Sequence, residues 1–500
     1  MPLRPTFHPA ATHADLGEAF FDPVDAARFP RQILRHRDQR WAARVGLDTL
    51  TDAEWLAHFG GFEPLPGSLP QPLALRYHGH QFRSYNPDLG DGRGFLFAQL
   101  RYLQDGRLLD LGTKGSGQTP WSRGGDGRLT LKGGVREVLA TTMLEALGVD
   151  TSKSFSLVET GEDLVRHDEP SPTRGAVLVR LSHSHIRIGS FQRLAALHQP
   201  DNVLRLLDHS IHHYVPEAWR DDPAERASAF LAEVSQRVAV LGASWMAAGF
   251  VHGVLNTDNI NITGESFDYG PWRFLPTYDP DFTAAYFDHN GLYAYGRQPE
   301  TLLWNLARLA ECLLPLAGKP ALEAILQDFA PAYRAALIAA VLRRLGLAPA
   351  GAEEDAELAQ AWWGFLDASA MPFEQAFFDW HGGLHAADRA ARSPAAAHYD
   401  SPDFAPVRAA FAGRQLADGV RLDHPYFARP QPCTMLIDEV EALWAPIAER
   451  DDWSAFHAKL ADIDTMRDAY CPLSRRERRT THTPPRACSH ATNKSTGSPP

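Results

Sequence analysis

Three side chains with oxygen donors stand close together in the stretch Gly249 to Pro271, GFVHGVLNTDNINITGESFDYGP. They are Asp258, Asn259 and Asp268. Hard divalent cations take carboxylate and amide oxygens as ligands, and such cations accompany phosphate chemistry. Asn259 and Asp268 are the candidate pair for a cation such as Mg²⁺. Asp258 is the nearest free carboxylate and can take a proton from an incoming hydroxyl. Asp and Asn also make ordinary turn hydrogen bonds, so the assignment depends on what else the chain brings to a phosphate.

Several other stretches carry suitable chemistry. In Gly90-Asp-Gly-Arg-Gly94 the glycines Gly90 and Gly92 permit close backbone approach, and Arg93 offers a bidentate phosphate contact. The same composition also makes a plain Gly-rich turn, and it matches neither GxGxxG nor a P-loop. Lys114 ends a strand-like run, and Glu137 lies on the helix that follows. A buried Lys needs such a partner to stay charged in place. In Ser122–Arg128, Asp126 can accept a bond from an adenine or ribose group and Gly127 leaves room for a ligand. Arg180 and Arg187 flank a turn and suit a polyphosphate. For each of these residues alone a surface loop or a solvated charge is an equally simple reading. The histidines His183, His185, His209, His212 and His213 lack the context of a metal site and read as non-ligands.

The order of these pieces matches a phosphotransferase template. Protein kinases carry HRDxxxxN followed by DFG. On that spacing His252 takes the His place, Asn259 the metal-binding Asn and Asp268 the DFG Asp. The template's catalytic Asp falls on Val254, which accepts no proton. The chain therefore reads as a kinase-type site without its usual base, either inactive or doing something else with ATP.

The elements that would position these residues follow from periodicity. Residues 1–65 read as short helical stretches and loops, with Thr51 an N-cap for a helix over 52–59. Strand-like runs at 95–101 and 107–112 flank the turn Gln104-Asp-Gly106. A helix is predicted at about 133–147, where Val135, Leu139, Met143 and Leu147 recur every four residues and Gly148 ends it. Strands return at 154–159 and 176–181. Beyond Ser190 the pattern is mostly helical, at 224–248, 298–314, 321–345, 353–367 and 435–449. The fold class is α+β, in a protein-kinase-like bilobal arrangement with a mixed N-lobe and a mainly helical C-lobe with helical extensions. The division is an N-terminal extension 1–72, an N-lobe 73–189, a C-lobe 190–473 holding the catalytic segment 249–271, and a basic tail 474–500 of disordered composition.

Composition narrows the function class. A net charge of −12 argues against nonspecific binding to nucleic acid or acidic membranes. No run of eighteen apolar residues suggests a membrane span, and the first twenty residues lack the apolar core of a secretory signal. Cys312, Cys433, Cys471 and Cys488 are too few and too scattered for a disulfide scaffold. A reducing, cytoplasmic setting is the expectation.

Taken together, the motifs resemble the selenoprotein O family, whose bacterial members are called YdiU. The matching pieces are HGHQF (78–82), LGDGRG (89–94), KGSGQTPWSRGGDGR (114–128), VREVLATTMLEALGV (135–149), SHIRIGS (184–190), GVLNTDN (253–259), DYGP (268–271), YDPDF (278–282) and RQPETLLWNL (297–306). The resemblance implies a kinase-like fold and protein adenylylation, in which AMP moves from ATP onto Ser, Thr or Tyr hydroxyls of other proteins. ATP would be flipped relative to kinases, exposing its α-phosphorus. By position, Gly90, Gly92, Arg93, Lys114, Asp126, Gly127, Arg180 and Arg187 would bind ATP, and Glu137 would pair with Lys114. Asn259 and Asp268 would hold Mg²⁺ or Mn²⁺, and Asp258 would be the proton acceptor. Two features depart from the family's pattern. His78 and Arg83 stand where the common form has Ala and Gly. The nearest cysteine to the family's C-terminal redox residue is Cys488, in a tail unlike the family's ending. A phosphoryl-transferring kinase and a non-catalytic ATP-binding scaffold are the alternatives.

Overall fold

The computed structural model describes residues 4, 6–167 and 169–470. The basic stretch 474–500, with Cys471 and Cys488, lies outside the described residues. The strands concentrate in the first part of the chain. In order they are β1 (Pro9–Ala10), β2 (Phe21–Pro23), β3 (Ile33–Arg37), β4 (Leu73–Leu75), the hairpin β5 (Gly79–Gln81) and β6 (Ser84–Asn86), β7 (Leu96–Arg101), β8 (Leu108–Lys114), β9 (Leu129–Thr130), β10 (Lys153–Leu164) and β11 (Thr173–Ser182). Among them lie α1 (Gln39–Arg44), α2 (Asp52–Phe59) and α3 (Leu131–Ala146). One antiparallel sheet runs β2-β4-β7-β8-β11-β10-β3, with β1 added to β7 and β9 to β11. Residues 9–37, read from sequence as helical stretches and loops within an N-terminal extension, thus supply β1, β2 and β3 to this sheet. These strands are two to five residues long, too short to show a period of two.

Side-chain alternation explains how the sheet is covered. Leu157 and Leu178 point to one face, where they join Val135, Leu139 and Met143 of α3 in one core. Leu109, Leu111, Val177 and Val179 point to the other, where Trp41 of α1 and Trp55 and Phe59 of α2 close a second core. With both faces buried, the central strands read as near-continuous apolar runs. α3 forms as its spacing predicts. Thr130 caps it by accepting from the Gly133 amide at 3.1 Å, and Gly148, at φ +81°, turns the chain out of it. α2 carries a full capping box between Thr51 and Glu54. Thr51→Ala should therefore lower stability by about 1 kcal/mol, read as a reduced denaturation midpoint with an unchanged m-value.

The rest is helical: α4 (Ile188–Ala196), α5 (Pro200–Tyr214), α6 (Pro223–Ala247), then the short strands β12 (Phe250–Val251) and β13 (Arg273–Phe274), then α7 (Gln298–Leu313), α8 (Lys319–Gln327), α9 (Phe329–Leu345), α10 (Ala352–Ser369), α11 (Phe373–Asp379), α12 (Ala387–Ala391), α13 (Ala405–Ala410), α14 (Ile437–Arg450) and α15 (Ser454–Tyr470). The single helix expected over 321–345 is two, meeting at Asp328. Pro331 has no N–H to continue the first ladder, and a proline is tolerated only in the first turn of a new helix. By length and composition this stretch, Lys319–Leu345, could cross a membrane; here it is broken, and Phe329 and Leu322 enter the main core with residues of α6. α15 was not read from sequence; its Phe456, Ile463 and Met466 return to the core that α3 shares.

Two features frame the segment 249–271. Gly249, at φ +63°, ends the α6 turn, and a Cβ there would sit 2.7 Å from the Phe373 ring. β12 then pairs antiparallel with β13, Phe250 opposite Phe274 and Val251 opposite Arg273. The intervening loop is thus pinched at both ends.

Candidate active site

Lys114 closes β8 and Arg180 lies on β11. Register places Lys114 opposite Leu178 and Arg180 opposite Gly112, so both side chains leave the same sheet face, toward α3. Glu137 of α3 meets them there. Lys114 Nζ lies 2.6 Å from Glu137 Oε2 and 3.2 Å from Asp268 Oδ1. Arg180 Nη1 lies 3.1 Å from the same Asp268 oxygen and 3.5 Å from Glu137 Oε1. Lys114 and Glu137 thus form an ion pair, and Arg180 joins the same cluster. Burial alone would raise the Asp268 carboxyl. Lys114, Arg180, Arg93 and Arg187 outweigh it and hold Asp268 well below the usual carboxylate range. Asp268 is also held at φ +62°, a region that Asp and Asn enter more readily than most residues. His252 fixes the approach to it: buried, its ring Nε2 meets the Phe267 carbonyl at 3.0 Å.

Asp258 and Asn259 sit on a short 3₁₀ turn, Thr257–Asn259. Asn259 donates from Nδ2 to the Val254 carbonyl at 3.0 Å, which fixes its amide and leaves Oδ1 buried without a partner. Asp258 is only 8% exposed, and its Oδ1 is likewise buried and unpartnered. A buried acceptor left unmade is costly, so two adjacent ones mark a place built for something else. Burial pushes the Asp258 carboxyl up to about 6 against the opposing pull of Arg187. Arg187 is itself buried, donates to the Asp258 carbonyl at 3.2 Å and lies 3.5 Å from Asp91. Its guanidinium stacks 4.1 Å from the Tyr77 ring centroid.

These residues share one cleft of about 460 Å³. Gly90, Gly92, Arg93, Asp126, Gly127, Asp258, Asn259 and Asp268 line it, with Val254 and Asn256. Lys114, Glu137, Arg180 and Arg187 stand behind that lining and act on it through Asp268 and Asp258. Asp126 is at the open side, paired with Arg166 at 2.8 Å and accepting from the Arg128 amide at 3.0 Å. The glycines of the first loop have a packing role the sequence did not reveal. A Cβ on Gly90 would lie 2.4 Å from the Trp121 ring, and one on Gly92 2.7 Å from the Trp121 carbonyl. The two Gly-rich loops are therefore fitted to each other at the cleft wall.

The loop 253–259 is braced by residues without a predicted chemical role. Thr257 donates to Gln192 at 2.6 Å and accepts from the His80 amide at 2.7 Å. Asn256 accepts from Tyr293 OH at 2.7 Å and from the Phe82 amide at 3.1 Å. Asn305 donates to the Leu255 carbonyl at 2.9 Å. HGHQF and RQPETLLWNL were visible as motifs; their partners lie far away in sequence. A divalent cation fits the donor set: Asn259 Oδ1 is a free buried oxygen, Asp268 is a held anion, and Asp258 lies beside them. Cys312 and Cys433 are elsewhere, buried thiols pushed up to about 12 by burial.

The model of the family described as "Protein adenylyltransferase SelO" matches residues 4–464. A "Protein nucleotidyltransferase YdiU" of Synechocystis sp. is 53% identical over 348 residues, 69% of this chain and 72% of its own. The proteins of the same name from Trichormus variabilis and Gloeobacter violaceus are 43% identical over 465 residues and 45% identical over 473 residues. Those alignments cover 90% and 91% of this chain, and 94% of each relative.

Proposed function

The chain belongs to the SelO family of protein adenylyltransferases, a nucleotidyltransferase acting on protein with a nucleotide co-substrate, and from that premise we propose that it transfers AMP from ATP to Ser, Thr or Tyr hydroxyls, with Asp258 as proton acceptor. The observation that carries this reading is the Asp258 carboxylate. It is buried in the cleft, has an unpartnered oxygen, and stands next to the metal-type donors Asn259 and Asp268. Val254 occupies the place where a kinase keeps its base. In the transfer, the acceptor oxygen bonds to the α-phosphorus, the bond from that phosphorus to the β-bridging oxygen breaks, and pyrophosphate leaves. The hydroxyl proton passes to Asp258.

Asn259 and Asp268 would hold Mg²⁺ or Mn²⁺, which when bound offsets phosphate charge. Lys114, kept in place by Glu137, and Arg180 hold Asp268 toward the phosphates and add fixed positive charge behind it, as preorganised electrostatics requires. Arg187, stacked on Tyr77, does the same beside Asp258. Gly90, Gly92, Arg93, Asp126 and Gly127 form the wall that takes the nucleotide. A kinase-like bilobal fold belongs to the same reading: a sheet that supplies the Lys, a helix that supplies its Glu, and a helical region that supplies the Asn and Asp.

ATP labelled at either the α- or the γ-phosphate separates this from the alternatives. With Mg²⁺ present, label from α appears on protein and label from γ does not, and a chelator stops the transfer. Label from γ instead would make the protein a kinase. ATP binding with transfer from neither position would make it a scaffold.

A further inference from the structure

One hydrogen bond away from the cleft-lining Asn256 begins an aromatic surface that the chemistry above leaves unused. Tyr286 is 82% exposed, Phe287 41% and Phe82 38%. Their rings touch in sequence, Tyr286 against Phe287 at 5.1 Å and Phe287 against Phe82 at 5.8 Å. Contiguous exposed aromatics are costly to leave in water and mark interaction surfaces. The patch is rigid. Asp288 accepts from the Leu292 and Tyr293 amides at 2.9 and 2.8 Å, which sets the loop bearing Tyr286 and Phe287. Phe82 packs on Tyr293 at 4.9 Å.

A second observation points the same way. Phe82 and Arg83 form the two-residue turn of the β5–β6 hairpin, at φ +49° and +63°. A turn of that hand favours Asn-Gly, because side-chain-bearing residues resist positive φ. Here a large aromatic is held in that conformation next to the cleft-lining Gln81, and backbone strain of this kind gathers at functional sites. Asn256 joins patch to site: it accepts from the Phe82 amide and lines the cleft with Gln81 and Asp258.

We infer that Phe82, Tyr286 and Phe287 form the docking surface for the protein substrate, and that it selects hydroxyls with an apolar side chain nearby in an extended segment. This rests on the adenylylation reading: Phe82 is one hydrogen bond from the cleft-lining Asn256, so a protein whose hydroxyl reaches Asp258 has these rings close by, and an apolar side chain covers exposed rings best. The window to be tested is about three positions either side of the acceptor, roughly 10 Å of extended chain.

The test is to map AMP-bearing residues by mass spectrometry after incubating a bacterial lysate with ATP, Mg²⁺ and either the parent protein or the double variant Tyr286→Ser/Phe287→Ser. ATP affinity of the variant serves as its folding check. Sites modified by the parent should be enriched in Phe, Leu, Ile or Met within that window, and the variant should lose on the order of tenfold in rate at those sites and lose the enrichment. No enrichment with the parent, or the same enrichment with the variant, overturns the inference. So does a double variant that changes oligomeric state in light scattering while keeping site selection, which would assign the patch to self-association. A parent that modifies no protein removes the adenylylation reading, and this inference with it.

Discussion

Asp268→Ala abolishes transfer of label from the α-phosphate of ATP to protein. Asp268 is the carboxylate on which three parts of the site converge: Lys114 at 3.2 Å, Arg180 at 3.1 Å and the cation that Asn259 would share. Its removal leaves the buried Lys114 and Arg180 with Glu137 as their shared counter-charge and the divalent cation with one donor fewer. Loss of a single preorganised electrostatic contact costs about 10²–10³ in rate. A residue that supplies both a metal ligand and the anchor for two cations should cost at least ~10³-fold, about 4 kcal/mol of barrier. Because Asp268 sits at φ +62°, Ala also strains the backbone. Asp268→Asn keeps a side chain that tolerates that conformation and removes only the charge. Both variants should fail to transfer, and Asn should keep the parent's thermal stability more nearly than Ala. Parent-level activity in Asp268→Asn would take Asp268 out of the metal site.

Asp258→Asn is the second large effect. Its carboxylate is buried, raised to about 6 by that burial against Arg187, and has a free oxygen, while the nucleotide wall is built from other residues. An amide of the same shape cannot accept the hydroxyl proton. A positioned base contributes about 10²–10⁴ in rate, so Asp258→Asn should slow transfer by that amount and leave nucleotide affinity near the parent's. The neighbouring contact explains why a shape-conserving change is needed: a Cβ on Gly79 would lie 2.7 Å from Asp258 Oδ1, so a truncated side chain would open a gap against the β5–β6 hairpin.

Much of this site was legible in sequence because its parts are local. A Lys at the end of an apolar run, a Glu on the next periodic helix, and an Asn and Asp at fixed spacing can each be read in a short window. Their order along the chain links them. The α3 apolar stripe and the α6 helix were equally plain, since their periodicity runs over several turns. What escaped was set by distance or by brevity. The bond from the His80 amide to Thr257 and that from the Phe82 amide to Asn256 span 177 and 174 residues, and no local pattern encodes them. Arg180 reaching Asp268 rather than standing free on the surface depends on the β8–β11 register. The strands of residues 9–37 are edge pieces too short for alternation to show. Pro331 was in plain view, and the apolar run around it masked the break it imposes. Gly90 and Gly92 were read as ligand-approach glycines, and their chemistry as small residues is equally demanded by Trp121.

We propose above all that the kinase-type apparatus is kept while the base sits at Asp258 and not at position 254. The most direct test is a single-turnover measurement of AMP transfer from ATP to protein by Asp258→Asn, with nucleotide affinity measured on the same preparation. The expected rate is lower by about 10²-fold or more with affinity unchanged. An unchanged rate, or a loss confined to affinity, would contradict it and make Asp258 a binding residue.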